Sequence, residues 1–153
     1  MNRPSSNRDT VSFLSLLSTA ALVTIATGGA VIGLGIRAGE SLSGFRNAGI
    51  DILSRFGLTA SVTGLVFVGT LHHLIVSWLW GMLFAAAASR LHSLSRLVAC
   101  VLLVPIYVYV VPRLIPMLLR IGFGVTFRDA DLFPIAAAIA VALLSGAWVA
   151  KRD

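Results

Sequence analysis

Charged residues make up only 12% of this 153-residue chain, against about 25% in ordinary soluble domains. The six acids, Asp9, Glu40, Asp51, Asp129, Asp131 and Asp153, all fall outside the long apolar runs. Proton- or sodium-coupled transport usually needs a carboxylate within the membrane, so that chemistry is disfavoured. Lysine occurs once, as Lys151, and no glycine-rich phosphate loop ends in it. The single cysteine, Cys100, excludes an internal disulfide and a cysteine metal cluster. Neither H-E-x-x-H nor G-x-S-x-G occurs. No enzymatic signature remains.

What the chain does have is apolar length. Hydrophobic residues make up 58% of it, and the net charge is +6. The basic residues flank apolar runs, so the expected counterpart is the lipid bilayer with its anionic headgroups. No nucleic-acid partner is expected, because no basic stripe is interleaved with aromatics. Arginine dominates over lysine and alanine and glycine are abundant, which points to a GC-rich bacterial genome.

The runs predict an all-α integral membrane protein with four transmembrane helices, over residues 10–36, 60–89, 95–111 and 132–150. A span needs about 20 apolar residues. The first run is too long for a signal-peptide core, which is usually about 7–15 residues, so it is read as an uncleaved span. Two short amphipathic helices are expected at the membrane surface. The first covers 41–56, with Ser41 capping its start and Gly57 ending it. The second covers 112–122, because Pro112 and Pro116 interrupt the third run and Arg113 and Arg120 would sit best among headgroups. The third span should kink at Pro105. Asp129 or Asp131 should cap the fourth, with Pro134 in its first turn. One membrane domain accounts for residues 1–153, and both surface segments should lie on one side of it. Clustering of Arg3, Arg8, Arg90, Arg96, Lys151 and Arg152 puts the N and C termini in the cytoplasm, with the chain in the bacterial inner membrane.

Small residues mark packing faces, since helices in lipid associate by close backbone approach. Gly29 and Gly33 form a G-x-x-x-G pair in the first span. Ser77, Gly81 and Ala85 form a row at steps of four in the second.

The second span also holds His72 and His73, with Trp80 nearby. Adjacent helical residues diverge by about 100°, so the two imidazoles cannot ligate one metal from a single helix. No metal site is expected. His73 shares a face with Gly69 and Ser77, which predicts that it points into the bundle. His72 lines up with bulkier residues and should reach the third span or a second protomer, with Tyr107 and Tyr109 as the available hydroxyls. Each imidazole is expected to be neutral and hydrogen-bonded to a Ser, a Thr or a backbone carbonyl across helices. Ser77 and Trp80 complete the polar-contact candidates. A bis-histidine haem needs facing histidines at one depth, which one protomer does not supply, so no cofactor is expected.

Together these features predict a small, non-enzymatic inner-membrane subunit that packs with itself or with another membrane protein. The alternatives are a haem- or quinone-binding redox subunit using His72 or His73, and a small transporter or lipid-handling protein.

Overall fold

Ser61 opens the central helix of the molecule. Its Oγ accepts from the Gly64 backbone N–H at 3.3 Å, an N-cap that satisfies one of the free donors at a helix start. The computed structural model describes residues 13–88, 91, 95, 98–99, 102, 106–121 and 129–149. Among these, every regular element is helical. Helix α1 covers Phe13–Arg37, α2 covers Ser43–Ser54, and α3 covers Val62–Ala88. A π-helical turn, Ile106–Val110, runs into a short helix, α4, Val111–Leu114. A 3-10 turn follows at Met117–Leu119, and α5 covers Asp129–Val149. The helices α1 and α3 are long and apolar enough to cross a membrane.

Two glycines set the sharp turns on either side of α2. Gly39 (φ +88) ends α1, with Glu40 N–H returning to the Gly35 carbonyl at 2.9 Å and Gly39 N–H to Ile36 at 3.0 Å. Gly57 (φ +65) ends α2 in the same way, with Leu58 N–H on Leu53 and Gly57 N–H on Ser54. Both positions need the left-handed conformation that glycine adopts without strain. Gly57 therefore ends α2 as the sequence suggests. Ser41 does not cap its start: Leu42 holds that position, without a side-chain hydrogen bond.

The helices meet through glycine. A Cβ built on Gly81 would lie 2.6 Å from Ala20 Cα, which fixes a close crossing of α3 on α1. Further along, Thr27 of α1 meets His73 of α3, so the two helices run antiparallel. The helix α2 lies along α3, also in the opposite direction. A Cβ on Gly49 would fall on the Leu65 carbonyl, and one on Gly69 would fall on the Phe45 carbonyl. Thus α2 folds back against α3 with the two backbones in contact. On the other side, α5 packs chiefly against α1.

One apolar core joins these elements. Val23 and Val31 of α1, Phe45 of α2, Val76 of α3, Ile121, and Ala136, Ile139, Ala142 and Leu143 of α5 are all buried and in contact. Val76, one turn beyond His72, also belongs to this core. Outward faces carry large apolar side chains instead, including Ile25, Phe67, Ile75, Leu83 and Val141.

Three further expectations change. No single helix covers 112–122. The helical stretch runs through Pro112 to Leu114, breaks at Ile115–Pro116, and resumes as one 3-10 turn. Proline disfavours helical geometry in the residue before it, which accounts for the break ahead of Pro116. The third run therefore continues past Val111. In α5, Asp129 is already the first helical residue, so Pro134 falls in the second turn rather than the first. Part of the expected third span, including Cys100 and Pro105, and the turn residues Arg90, His92 and Arg96 lie outside the described residues.

Candidate functional site

Three helices converge on His73. The residue is 6% exposed. Its Nε2 lies 3.2 Å from Thr27 Oγ1 on α1 and 3.2 Å from Ser77 Oγ one turn along α3. Phe45 of α2 meets the imidazole edge-on, with ring centroids 5.5 Å apart and planes at 75°. Gly28 of α1 lies against the ring, and a Cβ there would make ordinary contact with His73 Nε2 at 3.5 Å.

The hydroxyls on either side are already donors. Thr27 donates to the Val23 carbonyl at 2.7 Å, and Ser77 donates to the His73 carbonyl at 2.5 Å. Their lone pairs remain for the ring. The Nε2–H tautomer therefore fits, with one proton shared between two hydroxyl oxygens. Thr24 repeats the pattern, donating to Ala20 at 2.9 Å. Back-bonding of this kind lets a threonine sit on an apolar helix face without an orphaned hydroxyl.

His72 turns to a different neighbour. Its Nε2 donates to the Leu118 carbonyl at 2.6 Å. Two turns on, Trp80 Nε1 donates to the next carbonyl, that of Leu119, at 2.7 Å. Together they pin the 3-10 turn against α3. The partner of His72 is thus a main-chain oxygen. Of the tyrosine hydroxyls considered for it, Tyr109 is exposed, and the side chain of Tyr107 lies outside the described residues.

The arginines bind backbone. Arg113 donates to the Tyr109 carbonyl, and Arg120 Nε donates to Ile115 at 2.7 Å. Because Leu119 is held by Trp80, Arg120 sits beside the middle of α3 and not at one of its ends.

The small-residue expectations divide. Ser77 and Gly81 are buried on the α1 side of α3, and Ala85 is half-buried further along. Gly29 and Gly33 are exposed, with nothing within 4 Å of where a Cβ would stand. They take no part in packing among the described residues. The inner face of α1 is instead Ala20, Val23, Thr24, Thr27 and Val31. Thr27, Phe45 and Gly28 were missed as neighbours of the histidine. The spacing of Ala20, Thr24, Thr27 and Val31 in steps of three and four was the available signal.

Among the described residues, no group of three or more His, Cys, Asp or Glu side chains is placed to hold a metal ion. Coordination of an iron through Nε2 of either histidine would break the bonds just described. What the arrangement does chemically is join helices: His73 reaches Thr27 of α1, and His72 and Trp80 reach the 3-10 turn. No family model matches the chain, and no curated protein or solved structure matches it.

Proposed function

We propose that this chain is a non-enzymatic packing subunit of the bacterial cytoplasmic membrane, associating with a second copy or with another membrane protein. Its membrane segments are α1, α3, the run from 95 to Leu114, and α5, with both termini cytoplasmic. The observation that supports this reading is the use made of the histidines. His73 bonds Thr27 and Ser77, and His72 bonds Leu118. Side chains suited to chemistry are thereby engaged in holding helices together, while large apolar residues face outward. In lipid, such polar contacts between helices contribute about 0.6–2 kcal/mol each.

Native mass spectrometry of protein released from membranes in mild detergent tests the proposal. The expected result is a discrete assembly heavier than the 16.2 kDa chain. A monomer that carries a Soret band, or that moves a solute across vesicles, would replace this reading with the redox or the transport alternative.

A further inference from the structure

Arg120 occupies an unusual place for a cation. His72 lies about 15 Å from the Val62 end of α3 and Trp80 about 12 Å from the Ala88 end, at about 1.5 Å per residue. The Leu118 and Leu119 carbonyls bond these two side chains. The turn that carries them therefore sits level with the middle of α3. Arg120 follows directly, half-buried, on extended backbone (φ −89, ψ 133). If α3 crosses the bilayer, this level is the hydrocarbon mid-depth.

Non-helical backbone persists at such depth only where protein or a water-filled cavity covers it. An arginine at the centre of a span is costly even on the most lenient scale. It stays there when something offsets its charge. Within the chain, Arg120 Nε bonds the Ile115 carbonyl. Its two Nη groups have no hydrogen-bond or ion-pair partner among the described residues. Glu40 is engaged by Arg46, Asp51 sits on α2, and the side chains of Asp129 and Asp131 lie outside the described residues. Arg113, on the same segment, adds positive charge and not negative.

The geometry points to an oxyanion as the missing partner: we propose that Arg120 binds a phosphate group at membrane mid-depth through its two free Nη groups. A guanidinium presents such a pair in a plane that matches two phosphate oxygens. The phosphate is either a free anion entering by water or the headgroup of an acidic lipid drawn inward. This site rests on the reading of α3 as a span but not on the packing role proposed above.

Trp80 is the reporter, since its indole bonds the residue next to Arg120. The full chain carrying Trp78→Phe and Trp148→Phe is placed in phosphatidylcholine nanodiscs. Lipids brominated near the chain ends should quench Trp80 most strongly. Weak deep quenching would overturn the mid-depth placement, and the site with it. Sodium phosphate is then titrated against sodium chloride at equal ionic strength, and phosphatidylglycerol is titrated separately. We expect a saturable change in Trp80 emission in one arm, with half-saturation raised at least tenfold by Arg120→Gln. Arg120→Lys, which keeps the charge and loses the fork, should show a smaller increase. Arg55→Gln should leave the titration unchanged. A response to inorganic phosphate assigns a water-borne anion, and a response to phosphatidylglycerol alone assigns a lipid headgroup. Deep quenching with no saturable response in either arm overturns the anion site while leaving the span intact. A response equal in wild type, Arg120→Gln and Arg120→Lys, all with unchanged melting temperature, overturns it as well.

Discussion

Thr27 and His73 are 46 residues apart in the chain, and their polar atoms are 3.2 Å apart across α1 and α3. A double-mutant cycle with Thr27→Val and His73→Leu isolates that contact. We expect a coupling of about 0.6–1.7 kcal/mol, the range for hydrogen bonds between membrane helices. Reversible unfolding in mixed micelles reads it. Strictly additive single-mutant effects would show that the two side chains are neighbours without being partners.

His73→Leu should destabilise the protein more than His72→Leu. The first residue touches three helices and is 6% exposed. The second is part-buried and bonds the Leu118 carbonyl of the 3-10 turn, a hydrogen bond worth about 1 kcal/mol. Equal losses of melting temperature in detergent would contradict the assignment of His73 to the inner face.

Gly81→Leu should cost more than Leu83→Ala. The Cβ alone would press on the Ala20 backbone at 2.6 Å, and overpacking of this kind costs about 1–3 kcal/mol. Leu83 is 52% exposed on the outer face, so truncating it removes few contacts. A Leu83→Ala variant melting below Gly81→Leu would place the α1 seam elsewhere on α3.

Gly69→Ala should loosen α2 from α3, because the added Cβ collides with the Phe45 carbonyl, a backbone atom that cannot swing aside. Protease sensitivity around Leu58 should rise. Gly29→Ala and Gly33→Ala, with open space at both positions, serve as controls for folding within the chain. Unchanged cleavage in Gly69→Ala would mean that the two helices separate readily in the membrane.

Trp80→Phe keeps the ring body and removes the donor to Leu119. Hydrogen exchange at Met117–Leu119 should accelerate by several-fold, consistent with a loss of about 1 kcal/mol. Exchange at Val23–Thr27 should not change. Acceleration spread evenly over all helices would indicate general destabilisation instead of a released turn.

Much of this was legible beforehand because hydropathy reports length directly. The limits of α1 and α3 fall close to the apolar runs that predict them. The inward face of α3 also followed from sequence, since Ser77 and Gly81 are small where a second backbone must approach. The position of α2 was hidden. Its arginines and its short apolar face suit a membrane surface equally well, and only the opposing glycines, Gly49 and Gly69, betray the contact with α3. A backbone carbonyl was among the expected kinds of partner for His72, but which one could not be read, because a carbonyl leaves no mark in a sequence. The break at Pro116 was visible as a proline, but its level beside α3 depends on His72 and Trp80 acting together.

The seat of α2 is made after α2 itself. Its 12 residues extend about 18 Å at 1.5 Å per residue, short of the roughly 30 Å hydrocarbon core. During synthesis Ser43–Ser54 leaves the ribosome before Gly69 does. Until then the helix has no backbone to lie against, and it cannot span the bilayer alone. Its docking onto α3 is therefore a late event of biogenesis, set by the order of translation.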